Sequence, residues 1–305
     1  MEGIDTRITN NVTEEELSTC DAIYYNRVIS DSILEARDKY GFKIIVDVDD
    51  YWRLDPHHIS YSHYIEQGFE ALQIKHLQLA DLVTTTHERL AEVIYPYNKN
   101  VIITPNAIPN QSEYGYFDLE RTESEKVRLF WQGSITHEKD IELLRNPFKR
   151  LSKDFACVMA GYSKHEAWDR MVSSFTNGLS IKGTILPGSS PFEYYKNYSH
   201  ADICLAPLVQ SNFNGFKSNL KVLEAAHAGL PVIASKVNPY LDLPILYVES
   251  QKDWLKHINR LRDPQLRKDI GQNLKSYCNT HFNFNRINEY RKSEFRKLIN
   301  QNQVA

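Results

Sequence analysis

Cysteine is scarce in this chain: Cys20, Cys157, Cys204 and Cys278 are the only four in 305 residues, and they lie far apart. That spacing excludes a zinc-ligand pattern and a disulfide framework. Cys157 and Cys204 sit inside the apolar runs FACVMAG and DICLAPL and read as small core residues. No run of ~18 apolar residues occurs, so no membrane span is expected. The opening MEGIDTRITNN lacks the charged-then-apolar order of a secretory signal, and the simplest compartment is the cytoplasm. A basic excess is also missing. Lys and Arg total 36 against 39 Asp and Glu, a net charge of −3, which is not the footprint of a dedicated nucleic-acid binder, although an average hides local patches.

What is present is the balance of a globular protein, with 42% hydrophobic and 25% charged residues and length enough for two ordinary domains. The 18 tyrosines suit sugar faces and bases, and equally suit half-buried packing. Short apolar runs alternate with helical periodicity. Strands are expected at Ala22–Tyr25, Lys43–Val48, Asp81–Thr86 and Val101–Thr104. Helices are expected at Ser30–Tyr40 (stopped by Gly41), Tyr61–Ala80 and His87–Tyr95. A polar stretch without period, Ala107–Lys126, reads as a linker. The alternation then restarts with strands at Val127–Gln132, Phe155–Gly161, Ser180–Gly183, Asp202–Leu208, Pro231–Ser235 and Ile245–Val248. Helices fall at Asp140–Leu151, His165–Phe175, Pro191–Tyr198, Lys217–Ala228 and the tail Gln251–Gln301. Repeated β-α-β implies parallel sheets with right-handed crossovers. Two doubly wound domains in tandem place a ligand in the cleft at the carboxyl ends of their strands.

Three constellations carry chemistry. In VRLFWQGSITHEKD a strand ends on Gly133-Ser134 and a helix follows. Such a turn brings backbone N–H groups and a helix's positive end to an anion, with His137 and Lys139 as charged partners; an ordinary βα turn would look the same. In QSNFNGFKSNLKVLEAAHAGLPVIAS, Lys217 and Lys221 stand four apart on the expected helix, with Glu224 three further on. A cation in the first turn opposes the helix dipole unless an anion such as a phosphate intervenes. A carboxylate one turn deeper accepts two hydroxyls, as of a ribose. A solvated helix face has the same spacing. In VDVDDYWRLDPHH, Asp49 and Asp50 end a buried strand and could orient an acceptor hydroxyl or act as a base. His57, His58 and His63 are further proton-transfer candidates. Asp47-x-Asp49 also has the metal-holding D-x-D spacing of GT-A transferases. A turn cap at Asp49 or Asp50 and a structural Asp47 are the plainer readings.

EAAHAGLPVIAS resembles the E-A-x-x-x-G-x-P-V-I-A-S signature of retaining GT-B glycosyltransferases in the broad glycogen-synthase-like group. ADICLAPL, VIITPNAI and FWQGSITHEKDI are similar to three further segments of that group, in the same order, over roughly Ala80–Ser235. The resemblance implies a GT-B fold of two Rossmann-like α/β domains with an interdomain cleft. Residues 1–107 would form a short acceptor-side domain, with a tail helix over 284–305 packed back on it, and residues 108–283 the nucleotide-sugar-binding domain. It implies a UDP- or other NDP-sugar donor, no required metal and no cofactor, and retention of configuration. Glu224 would hold the ribose; Gly133, Ser134, Lys217 and Ser218 would face the diphosphate, with His137, Lys139 and Lys221 nearby. Asp49, Asp50, His58 and Lys217 are the catalytic candidates.

The chain departs from the group in three places. Most relatives carry two glutamates separated by seven residues, and here the position eight before Glu224 is Phe216, beside Lys217-Ser218. The arginine that often follows the first donor-domain strand is replaced near Ser134, and the first domain lacks a glycine-rich acceptor loop. NFNGFKSNLKVLEAAHAGLPVIAS and DVDDYWRLD look most like small transferases of bacteriophages and surface-polysaccharide clusters. The acceptor implied is then hydroxymethylated pyrimidine in phage DNA or a glycan. Two other classes share the fold: a nucleotide-sugar epimerase, and a GT-B remnant that binds nucleotide or a partner without turnover.

Overall fold

The computed structural model describes residues 4–109, 116–117, 119–161, 163–176 and 183–300. The chain forms two compact units. One is Met1–Asn106 with Phe216–Ser218 and Phe284–Ala305, the other Ala107–Gly215 with Asn219–Asn283.

In chain order the first unit contains α1 (Glu14–Thr19), β1 (Ala22–Asn26), α2 (Asp31–Tyr40), β2 (Lys43–Val48), α3 (Tyr61–Glu66), α4 (Phe69–Leu79), β3 (Leu82–Thr85), α5 (Glu88–Ile94) and β4 (Val101–Ile103). The second contains β5 (Val127–Gln132), α6 (Glu138–Phe148), β6 (Phe155–Ala160), α7 (Glu166–Thr176), β7 (Thr184–Leu186), β8 (Ile203–Ala206), α8 (Leu220–His227), β9 (Val232–Ser235), β10 (Leu246–Val248), α9 (Gln251–Arg260) and α10 (Pro264–His281). The chain ends its described part in α11 (Phe284–Asn300).

Several boundaries depart from expectation. The helix expected over Tyr61–Ala80 is broken into α3 and α4 because Gly68 takes a left-handed conformation, φ 62°, which glycine reaches without steric cost. The tail is three helices. Asp263 caps α10 through the N–H groups of Gln265 and Leu266 and Pro264 fills its first position, a start signal that ends the preceding helix. Pro191–Tyr198 is instead a 3-10 segment at Tyr194–His200. The helix α1, capped reciprocally by Thr13 and Glu16, was not anticipated. Ser180–Lys182, residues 110–115 and 118 of the expected linker, and 301–305 of the tail lie outside the described residues.

The first sheet runs β1-β2-β3-β4, all parallel. Its central strand β2 reads KIIVDV, and Ile44, Ile45, Val46 and Val48 are buried, as strands covered on both faces require. Phe295 and Leu298 of α11 pack on Ile45, Leu82 and Ile102 of this sheet. Burying such side chains is worth about 1.5–3 kcal/mol each.

The second sheet runs β10-β9-β8-β5-β6-β7, also parallel. Its strands alternate cleanly. Leu129, Trp131, Cys157, Met159, Ile203 and Leu205 face α6, α7 and α9. Phe130, Val158, Ala160, Cys204 and Ala206 face α8 and α10. Helices therefore cover both faces, and strand order reverses between β5 and β8, the position at which open α/β sheets take ligands. Cys157 and Cys204 are core residues, as expected.

Candidate active site

The reversal point places the turn after β5 beside the loop after β8. Two glycines keep it tight. A Cβ on Gly133 would come within 2.6 Å of the Trp131 ring, and one on Gly161, at φ 108°, would overlap the Gly133 carbonyl oxygen. Ser134 then leads into a 3-10 turn, Ile135–His137, that runs into α6. This is a bare backbone approach to a helix start, the arrangement that binds anions. One expected detail is corrected: the Gly133 N–H donates to Ala160 O at 3.2 Å, because β6 extends alongside, so it is engaged within the sheet.

Asp140, which the sequence reading did not single out, organises this corner. It is 3% exposed. One of its oxygens accepts the His137 Nδ1–H at 2.7 Å. The other accepts Val209 N–H at 2.7 Å and Asn214 Nδ2–H at 3.3 Å. The turn after β5 and the loop after β8 are thus tied to one buried carboxylate. His137 is also set edge-on to Trp131, ring centroids 5.9 Å apart. Lys139 turns outward, exposed and paired with Glu142 at 3.3 Å.

The expected Lys217–Ala228 helix begins only at Leu220, with Asn219 at the N-cap. Asn219 holds the N-cap without a side-chain capping hydrogen bond, and Phe216 is buried upstream of it. Lys217 and Lys221 therefore do not share a helix face, and the dipole argument transfers to Lys221, in the first turn. Its ammonium donates to the Gln132 carbonyl and lies 5.2 Å from the Trp131 ring centroid, two contacts that offset an unfavourable place on the dipole. Asn197 Nδ2 donates to Gln132 Oε1 at 2.8 Å.

Glu224 is 7% exposed. Its Oε1 accepts the Tyr194 hydroxyl at 2.5 Å and its Oε2 the Tyr198 hydroxyl at 2.7 Å. Burial raises its pKa, against the tyrosine hydrogen bonds and the Lys221 charge, which lower it. Burial and the neighbouring Glu224 charge push both tyrosine hydroxyls up, so they stay protonated donors. A carboxylate has about four acceptor sites, and two are occupied by these phenols.

In the first unit, Asp49 and Asp50 follow β2. Arg27 Nη2 lies 3.1 Å from Asp50 Oδ2 and 3.4 Å from Asp49 Oδ1. Burial raises the Asp50 pKa, and Lys217 and Arg27 pull against it. Lys217 and Ser218 thus group with Asp50 in this unit. Phe216 anchors them. Its ring lies 4.3 Å from that of Tyr51 and beneath the Arg89 guanidinium at 4.7 Å. His87 accepts Leu90 N–H on Nδ1 at 3.2 Å, so its Nε2 carries the proton and donates to Phe216 O at 3.0 Å. His58 Nδ1 accepts the Ser60 N–H at 3.1 Å. Asp47 is a structural hydrogen-bonding residue, accepting from Thr84 Oγ1 and from Asn26 Nδ2 at 3.3 Å. No group of three or more His, Cys, Asp or Glu arranged to hold a metal occurs among the described residues, and no helix among them is long and apolar enough to cross a membrane.

Residues 126–261 match the family described as Glycosyl transferases group 1. No curated protein matches the chain in sequence. Among solved structures it is similar to HepE of Anabaena in complex with UDP and glucose, at 13% identity and TM-score 0.67, over 90% of this chain and 77% of that one. It is also similar to a UDP-forming trehalose-phosphate synthase from Burkholderia xenovorans, at 9% identity and TM-score 0.65, over 91% and 74%. A third similar structure is TarM, at 12% identity and TM-score 0.61, over 92% of this chain and 54% of that one. The fold is GT-B, with two Rossmann-like α/β units. The match to the group 1 glycosyl transferases spans the second unit's elements from β5 to the end of α9.

Proposed function

We propose that the protein transfers a sugar from a UDP-sugar to a hydroxyl acceptor with retention of anomeric configuration. The observation that carries this reading is the pairing, in the second unit, of a bare turn at the strand-order reversal with a buried Glu224 that has acceptor capacity left over. Glu224 takes the ribose hydroxyls. The N–H groups from Ser134 onward, with His137, Lys221, Lys217 and Ser218, take the diphosphate; Lys139, turned outward, adds only long-range positive charge. UDP is the nucleotide named with the similar structures.

In the reaction the bond from the sugar's anomeric carbon to the diphosphate oxygen breaks, and its electron pair leaves with UDP. Preorganised N–H dipoles and ammonium groups stabilise that developing charge, the role a divalent ion has elsewhere, so metal and cofactor are unnecessary. The acceptor oxygen bonds to the anomeric carbon. Asp49 and Asp50 orient the acceptor hydroxyl, Asp50 or the departing phosphate oxygen receives its proton, and His58 borders this side. The acceptor class follows the sequence resemblance: hydroxymethylated pyrimidine in phage DNA, with a surface glycan as the second reading. Action in the cytoplasm fits both.

The test is UDP release from UDP-glucose by the parent, Lys217→Ala and Glu224→Ala proteins, with and without EDTA. Unchanged turnover in both variants would overturn the donor assignment. NMR of the product's anomeric proton decides retention, and mass shifts of hydroxymethylcytosine-containing DNA against a glycan panel decide the acceptor.

A further inference from the structure

Arg27 follows β1 in a left-handed conformation, φ 63°, which a side chain beyond glycine adopts only under strain. Two backbone bonds and one side-chain bond hold the turn there. Its N–H donates to Asp47 O at 2.9 Å and Val28 N–H to Asn26 O at 2.8 Å. Gln73 Nε2 donates to its carbonyl at 3.1 Å. Its buried Nε meets no acceptor among the described residues. Strain and an unsatisfied donor at one residue are poor choices for stability alone. What they deliver is aim: one guanidinium nitrogen reaches both carboxylates that end β2, at 3.1 Å to Asp50 and 3.4 Å to Asp49. Asn26 Nδ2 meanwhile holds Asp49 Oδ1 at 3.2 Å.

We infer that Arg27 is a positioning residue for the acceptor side, its guanidinium aiming the Asp50 carboxylate where the acceptor hydroxyl must be met. The inference rests on the reading of Asp50 as the acceptor-side carboxylate. The charged and titratable groups facing Asp50 are Asp49 on its own loop, Arg27 after β1, Tyr64 on α3, His87 at the start of α5, and Lys217. Of these, Lys217 and Arg27 favour the ionised carboxyl, while burial and Asp49 oppose it. Removing Arg27 therefore moves Asp50 further up and takes away the hydrogen bond that aims it.

The experiment compares the parent with Arg27→Gly, which releases the backbone strain, Arg27→Lys, which keeps the charge without the fork, and Asp50→Asn. Thermal melting and UDP titration establish that each is folded and binds nucleotide. The readouts are the carboxyl carbon-13 titration of Asp50 in the free protein and the pH dependence of kcat for UDP release from UDP-glucose. Arg27→Gly should retain UDP affinity, shift the Asp50 titration and the acid limb of kcat to higher pH, and lose about ten- to a hundredfold in kcat, the scale of a misplaced reacting group. Arg27→Lys should restore most of the titration shift but not kcat. If Arg27→Gly titrates and turns over as the parent does while Asp50→Asn is inactive, the positioning role is overturned and the acceptor-side reading stands. If Asp50→Asn turns over as the parent does, the acceptor-side reading itself falls, and this inference with it.

Discussion

Tyr194, in a 3-10 segment thirty residues upstream of the glutamate, donates its phenolic hydroxyl to Glu224 Oε1 at 2.5 Å. With Tyr198 on the other oxygen, the carboxylate is aimed before any nucleotide arrives. Burial nonetheless raises its pKa, so the ionised form is held at a cost to the fold.

That cost has a sign. A carboxyl raised above its unfolded pKa contributes stability that is fully present below the unfolded value and lost as pH rises through the folded one. Glu224→Gln, neutral at every pH, should melt higher than the parent at pH 7, with the gap closing toward pH 4. It should also bind UDP about tenfold more weakly or worse, as loss of a charge-assisted hydrogen bond implies. Melting curves across pH and calorimetric titration with UDP measure the two effects, and a lower melting point at pH 7 would refute the first.

Gly161→Ala should damage the turn after β5 without touching any charged group. The added methyl would overlap the Gly133 carbonyl oxygen, on a backbone already at φ 108°. We expect a destabilisation of about 1–3 kcal/mol from the backbone strain, measured by urea unfolding. UDP affinity should fall as well, because Gly133 must move.

Asp140→Asn replaces one oxygen of a buried carboxylate with an amide. Facing His137 Nδ1, that amide sets donor against donor until the ring changes tautomer; facing Val209 N–H, it loses the loop after β8. Leaving such a group unmatched costs about 1–3 kcal/mol. KM for UDP-glucose should rise with little change in kcat, and steady-state kinetics on the folded variant would show it.

Phe295→Ala probes the tail. Phe295 is 6% exposed against Ile45, Leu82 and Ile102, and large-to-small changes at such sites cost about 3–5 kcal/mol. The loss should appear in urea unfolding, with the melting point falling in step.

Much of the architecture was legible in residue order. Near-continuous apolar runs such as VRLFWQ and KIIVDV point to one physical outcome, a strand buried on both faces of a parallel sheet, and both strands carry the bounds their sequence implies. Glu224 and the Gly133-Ser134 turn were legible because each sits a short, fixed distance along the chain from a strand end. Lys217 falls outside the helix, and spacing cannot report where a helix starts; burial of Phe216 within the first unit holds that stretch out of it.

What the sequence determined by itself was the alternation of strands and helices and the reversal-point turn, both set by local periodicity and short motifs. Only the tertiary structure decided the partners. Arg27 lies 22 and 23 residues from Asp49 and Asp50, Tyr194 thirty residues from Glu224, and Val209 sixty-nine from Asp140. Parallel strands bring their carboxyl ends together across whole crossover helices, so the residues that share a site are those farthest from one another along the chain.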